Sequence, residues 1–578
     1  MTGARERLGR RGAAALVVVV WAAGAAVFFR EQIGSGFGWL MGNDGDSRLE
    51  VYLCEHWFKV LHGQASWLDP RFFWPLRGLL GWSDTFFVYQ VFYAPLREMG
   101  ADPFLAMQLT VVALSLVGFA SFYALCRTAF GAAKWVALAM AAAFCFSNAL
   151  YSHAGSYQFN GIYLAPLAAL AGVSSWRAAS SGQTKRAVAF GFSAGALTIL
   201  LLFSTYYMGY FSLVALLVLT LVSLFGWRRR FLSAVTTGVR ERWPAVAAAG
   251  VGFAAGLGPF LATYLPTQRI RPPDGYAIAL AYGGGPRALL DVGPGNPIWT
   301  SALQTLTGTR PGGFEQTYAP TPTLWLLGLG GGICCAVLLS RGRALRRPAA
   351  RCAVALALTA AVEAVLTIHV GSHSLWAVVH HLPGASAMRA IGRAQIVTAS
   401  LLTLAAAAAV TEIFAQLLPV NPVAGSASSS PQLARRAGLG GSLVSVARWA
   451  VAALVLLAVA EQYNTTDASQ VSRHAQLAFL ASVRPAPVGC RSFYVVDPAD
   501  PSLPFYESQI DAMLAAQKLG LPTINGYTAY HPAGWALANV GEPGYEEAAL
   551  IWADSHSVAR GLCRLDLGTM RWSAAPAG

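Results

Sequence analysis

Two carboxylates and a guanidinium follow one another in the run Gly42-Asn43-Asp44-Gly45-Asp46-Ser47-Arg48. Carboxylates beside a cation suit general-base work on a hydroxyl, with the cation holding charge that develops elsewhere. Part of the run also has a structural use. Ser47 and Glu50 have the spacing of a capping box, and Asp46 or Ser47 can cap the helix that follows. Capping occupies one acid and leaves Asp44 beside a glycine, so Asp44 and Asp46 stand as the candidate catalytic residues.

A cationic counterpart lies far along the chain. Arg389 and Arg393 are four residues apart, which puts them on one face of a helix, and guanidinium forks fit phosphate oxygens. Snorkelling toward lipid headgroups is the other reading of this pair. His153 and Gln158 offer hydrogen bonds to a polar ligand or to their own loop backbone. The histidines His369, His373, His380 and His381 match no zinc spacing, so no metal site is expected from them. No cofactor is required by this chemistry, although Asp44 with Asp46 is the kind of carboxylate pair that accepts a divalent cation. Arg269, Arg271 and Arg287 around Gly283-Gly284-Gly285-Pro286 read as a flexible loop in preference to a lid. No Walker loop, nucleotide fingerprint or nucleophile elbow is present, which argues against a nucleotide-powered pump.

The elements that must position these groups are membrane helices. Of 578 residues, 55% are hydrophobic and 12% charged, with a mean hydropathy of +0.48, a composition for which the bilayer is the solvent. The net charge of +14 falls in short clusters between apolar runs, so nucleic acid is not an expected partner. The runs predict about eleven spans, the first over Ala13 to Phe29 and the last over Ala447 to Val459. Arg127 with Lys134, Arg177 with Lys185 and Arg186, Arg228 to Arg230, Arg341 to Arg351, and Arg435 with Arg436 all fall on one side if the N-terminus is cytoplasmic. The expected location is a bacterial cytoplasmic (inner) membrane, with three segments on the outer face.

Those segments are residues 30–102, residues 266–323 and the tail from 461 to 578, so the chain divides into a membrane domain over 1–460 and an extracytoplasmic domain over 461–578. Arg48 to His62 reads as an interfacial helix with Leu49, Tyr52, Leu53, Trp57, Val60 and Leu61 on its lipid stripe. Pro419 to Gly441 reads as a flexible linker. The tail reads strand, helix, turn-rich stretch, helix, strand, a small α/β domain. Cys490 and Cys563 sit at the edges of its strand-like runs, in a segment that faces an oxidising compartment, and are predicted to form a disulfide; two reduced, buried thiols are the alternative. Around the turn signal Asn525-Gly526, Tyr527, Tyr530, His531 and Trp535 offer either a carbohydrate-binding surface or packing against the membrane domain.

Several of these motifs together resemble bacterial polytopic membrane proteins of the GT-C glycosyltransferase superfamily. The resemblance runs from Gly42–Arg48 through Glu55-His56, Phe72-Phe73-Trp74-Pro75, Ser83-Asp84 and Pro95. It resumes at Leu382-Pro383-Gly384 with Arg389 and Arg393, and again at Asp511-Ala512-Met513 and Pro522 to Tyr527. It implies a helical GT-C fold and an inverting transfer of sugar from a polyprenyl-phosphate donor to an envelope glycan, lipid or protein acceptor at the outer membrane face. It further implies a first-loop acid, Asp44 or Asp46, as catalytic base. Arg48, Glu55, His56, Asp84, His153, Gln158, Arg389 and Arg393 are then the expected substrate-binding residues, with membrane lipid around them. The rival classes are a lipid-glycan transporter, for which Glu363 deep in a span is the one feature, and a non-catalytic envelope assembly factor.

Overall fold

The computed structural model describes residues 2–270, 275–307, 320–417, 441–497 and 504–575. Among the described residues, eight helices are long and apolar enough to cross a membrane. They are Pro103–Phe130, Lys134–Tyr151, Thr184–Ser204, Tyr206–Gly226, Trp243–Gln268, Pro322–Ser340, Arg347–Leu366 and Ile391–Leu417. Two shorter apolar helices, Gly12–Phe28 and Val444–Ala460, account for the first and last of the expected runs. The expected run from Gly161 is divided: Tyr157–Leu164 is a 3-10 segment, and the helix proper is Ala165–Ser180. Pro166 sits in the first turn of that helix, where its missing N–H costs nothing. The linker from Pro419 lies outside the described residues, apart from its last position.

Buried acids tie the ends of the helices. Glu461, fully buried, accepts from Trp299 Nε1 at 2.7 Å and from the backbone N–H groups of Thr323 and Leu324 at 3.1 Å each, so it caps the helix that starts at Pro322. At the opposite end of the bundle Glu412 does the same for the Arg347–Leu366 helix, accepting from Leu345 N–H at 2.7 Å and Arg346 N–H at 2.6 Å. Arg346 there also reaches the carbonyl of Gly131 at 3.2 Å, so the basic loops around residues 131 and 346 share one end. Outward-facing apolar side chains on the spans, such as Phe225, Val251 and Leu456, are exposed to where lipid would lie.

The first loop and the tail form one body over the other end. The Asp46–Leu61 helix is buried from Ser47 through Trp57, which corrects the expectation of an interfacial helix with one lipid-facing stripe. The tail covers it. Arg48 pairs with Asp511, Lys59 donates to the carbonyl of Gln517, and Gln517 Nε2 donates to the carbonyl of Tyr52 at 2.9 Å. Two of the quoted motifs dock on each other through backbone. Phe73 N–H donates to Asn525 O at 2.9 Å, Trp74 N–H to Thr523 O at 3.0 Å, and Thr523 N–H to Arg71 O at 3.1 Å. Gly526 is required here, because a Cβ would lie 2.6 Å from the ring of Phe73.

The tail itself holds a small sheet. Ser492–Val496 runs parallel to Leu562–Asp566, which pairs antiparallel with Arg571–Ala574. Tyr506–Leu519 and Tyr545–Ser555 are its helices. Cys490 and Cys563 are joined in a disulfide with a Cα–Cα distance of 5.7 Å. Asn525 is a buried hub whose side chain accepts from Val495 N–H at 2.9 Å and donates to Gln509 at 2.9 Å and Tyr545 at 2.8 Å.

Candidate active site

One cavity of about 1110 Å³ opens at the end of the bundle covered by the first loop and the tail. The first loop supplies Asp46, Glu50 and Asp84. The segment that leads into the α-helix beginning at Gln395 supplies Arg389 and Arg393. Gln158, Tyr206, Tyr207 and Tyr264 line the membrane side, and Tyr506, Tyr527 and Tyr530 of the tail close the top.

Asp46 is presented by a turn that Asn43 holds. Asn43 Oδ1 accepts from Asp46 N–H at 2.6 Å, and Ser47 Oγ donates back to the carbonyl of Asn43. Gly45 holds the N-cap position, Asn43 satisfies the first N–H of the helix from outside it, and the capping box read from Ser47 and Glu50 does not form. Released from capping, Glu50 lies one turn after Asp46 on the same face and accepts from Ser156 Oγ at 2.6 Å, Tyr157 N–H at 2.5 Å and Gln158 N–H at 3.1 Å. Burial, and then the charge of Asp46, push its carboxyl well above the usual range, against the pull of those three donors. Asp44 is half-buried and does not line the cavity; it faces Arg48, Tyr506 and Glu507.

Asp84 is the most unusual acid in the cavity. It is 7% exposed; Oδ1 accepts from Tyr206 N–H at 2.6 Å, at the start of the Tyr206–Gly226 span. Its Oδ2 has no hydrogen-bond partner among the described residues. Burial pushes the carboxyl up to about 7, opposed by the Tyr206 N–H and by the nearby Arg393.

Arg389 and Arg393 both line the cavity, but not as neighbours on one α-helical face. Arg389 lies in irregular backbone, and Arg393 in a 3-10 turn over Ile391–Ala394, because the α-helix starts only at Gln395. Tyr207 fixes this stretch: its hydroxyl accepts from the N–H groups of Arg389 and Ala390 at 3.2 and 3.3 Å. The Arg393 guanidinium sits 4.8 Å from the Tyr207 ring centre and 5.0 Å from that of Phe159. Upstream, Tyr206 Oη donates to the carbonyl of Gly384 at 3.0 Å. Gly384 has φ +86°, and a Cβ on it would lie 2.2 Å from that hydroxyl, so the Leu382-Pro383-Gly384 motif is explained by backbone geometry.

The other expected binding residues stand away from the cavity lining. Arg48 is buried against Asp511. Glu55 is held by Arg97 Nε and Nη2 at 2.8 and 3.0 Å and by Tyr93 Oη at 2.8 Å. His56 Nε2 lies 3.1 Å from the Trp67 carbonyl, and burial lowers its pKa to about 4, so it is neutral. His153 is buried, with Nδ1 2.8 Å from the Ala149 carbonyl. These four are supports of the loops. His380 and His381 line the cavity instead, with Tyr276 against the ring of His380 at 5.8 Å. Arg271 lies outside the described residues. Among the described residues, no group of three His, Cys, Asp or Glu side chains is placed to hold a metal ion.

No family model matches the sequence, and no curated protein matches it. Solved structures do. The archaeal oligosaccharyltransferase AglB from Archaeoglobus fulgidus, in complex with an inhibitory peptide and a dolichol-phosphate, aligns with a TM-score of 0.52 at 12% identity, over 96% of this chain and 69% of that one. The apo form of the Archaeoglobus fulgidus oligosaccharyltransferase gives 0.50 at 13% identity, over 95% and 69%. ArnT from Cupriavidus metallidurans bound to undecaprenyl phosphate gives 0.40 at 12% identity, over 88% and 84%, which adds nothing to the assignment. The fold is like that of these oligosaccharyltransferase structures: a polytopic helical membrane body with a small mixed-sheet region.

Proposed function

We propose that this chain is an inverting GT-C glycosyltransferase of the bacterial cytoplasmic membrane. It moves a sugar from a polyprenyl-phosphate donor to an envelope glycan, lipid or protein acceptor at the outer face. The observation that carries the reading is the one cavity that joins first-loop acids to Arg389 and Arg393. The likeness in fold to AglB, captured with dolichol-phosphate, supports a lipid-phosphate donor. The orientation adopted here places the N-terminus in the cytoplasm and the cavity and tail outside.

Asp46 serves as general base. It takes the proton of the acceptor hydroxyl as that oxygen attacks the anomeric carbon, while the bond from that carbon to the phosphate oxygen breaks and polyprenyl phosphate departs. One displacement inverts the anomeric centre. The leaving phosphate gains negative charge, which Arg389 and Arg393 stabilise. Asp84 offers its open oxygen to a sugar hydroxyl, and Gln158 adds polar contact. Asp44 stands outside the lining and tunes the Arg48 and Glu507 cluster behind Asp46.

The test is sugar release from a panel of polyprenyl-phosphate sugars in proteoliposomes, by the native protein and by the double variant Asp44→Asn, Asp46→Asn. Turnover by the native protein alone supports the enzyme and its first-loop base. Equal turnover by both removes that base, and no turnover with any donor and acceptor turns the reading toward transport or assembly.

A further inference from the structure

At the end of the bundle away from the cavity, the Arg228–Glu241 helix joins two spans with almost no slack. Only Trp227 separates it from Tyr206–Gly226, and only Arg242 from Trp243–Gln268. A fourteen-residue helix tethered in this way must lie along the membrane surface, since one extended residue reaches only about 3.5 Å. Its sequence suits that place. Phe231, Leu232, Val235 and Val239 recur on one stripe, with Arg229, Arg230 and Arg240 on the other side.

The protein covers little of that stripe. Gly238 is buried, with space for a Cβ limited to 3.0 Å by the ring of Trp176, and Arg242 stacks 3.8 Å from the same ring. Leu232, Val235 and Val239 stay 44%, 44% and 57% exposed, flanked by Phe225 and Trp243 at 80% and 63%. From Arg228 to Arg242 there are five arginines and one acid, Glu241. Apolar faces this exposed at a membrane surface sit in the acyl boundary, and arginines beside it meet phosphate headgroups.

We propose that the Arg228–Glu241 helix is a docking surface for anionic phospholipid, with its stripe in the acyl region and its arginines on headgroup phosphates. The two spans it joins carry Tyr206, Tyr207, Tyr264 and Thr267 at their far ends, in the cavity wall. The second of them buries 11% of its apolar window and packs on one side against Thr184–Ser204, where a Cβ on Gly195 would lie 1.9 Å from the carbonyl of Ala249. Bound lipid therefore steadies a wall of the site from the opposite face of the membrane. This inference does not rest on the proposed reaction.

Native mass spectrometry of the full chain, offered equal phosphatidylglycerol and phosphatidylcholine at low salt, tests it. The native protein should retain phosphatidylglycerol preferentially. The triple variant Arg229→Gln, Arg230→Gln, Arg240→Gln should lose that preference by about fivefold per arginine, and the matching Arg→Lys triple should keep it, which separates charge loss from misfolding. Arg341→Gln with Arg343→Gln, in another basic loop, should leave it unchanged. Undiminished preference in the Gln triple, or an equal loss in the Arg341 and Arg343 control, overturns the proposal.

Discussion

The first turn of the Asp46–Leu61 helix and its later turns are built from the same kinds of side chain, yet they reach opposite situations. Glu55, His56 and Lys59 are each matched by a dedicated partner: Arg97 with Tyr93, the Trp67 carbonyl, and the Gln517 carbonyl. Asp46, at the other end, faces the cavity, and Asp84 across from the helix keeps an oxygen without a partner among the described residues. Residue type alone does not separate an acid that lines the cavity from one that holds a loop. What separates them is place: the later turns are enclosed between the tail and the Gln90–Glu98 helix, and Asp46 and Asp84 line the cavity.

Substitutions on the two sides of that divide should fail in different ways. The largest effect is expected from Asp46→Asn, which should reduce kcat for sugar transfer about 10²- to 10⁴-fold with an unchanged melting temperature. Asp46→Glu restoring nothing would fit a tightly placed base; full activity of Asp46→Asn would erase the distinction. Glu55→Ala should do the reverse. It strands the half-buried Arg97 guanidinium and the buried Tyr93 hydroxyl and should cost about 1–3 kcal/mol in denaturant unfolding, with kcat per folded molecule retained.

Arg393→Gln comes next, with KM for the lipid donor raised on the order of 10-fold and little change in stability, since a charge-assisted bond to phosphate contributes roughly 1.5–3 kcal/mol. Asp84 gives the comparison its pH dependence. Its carboxyl titrates at about 7 when folded, against 3.8 ordinarily, so the native state holds an extra proton between those values. Stability contributed by this group should fall as pH rises from 4 to 7 and stay low above it. Asp84→Asn should flatten that slope in melting curves, and an unaltered slope would show that Asp84 is not the group responsible.

Much of this arrangement is legible in the chain. The apolar runs and the tail's strands and helices follow from residue pattern, while the grouping of Asp46, Asp84, Gln158, Arg389 and Arg393 came from the family resemblance, which grouped Arg48, Glu55, His56 and His153 with them although these do not line the cavity. Glu50 was hidden by a plausible capping box, because only the tertiary approach of residues 156–158 reveals where its carboxylate goes; the i, i+4 spacing from Asp46 was the available signal. The burial of the Asp46–Leu61 helix was hidden for a related reason. Its amphipathic stripe fits lipid and protein equally well, and the tail that covers it lies more than 400 positions later. Arg389 and Arg393 were spaced for a helix that Tyr207 instead holds as irregular backbone and a 3-10 turn.

The docking of Thr523 and Asn525 onto Phe73 and Trp74 has a consequence for biogenesis. Tyr506, Tyr527 and Tyr530, which close the cavity, leave the ribosome more than 400 positions after Asp46 and Asp84. A nascent chain stalled before the tail would hold its acids and arginines in an open trough. The chamber closes only once the segment that carries the three tyrosines has been made and docked on Phe73 and Trp74.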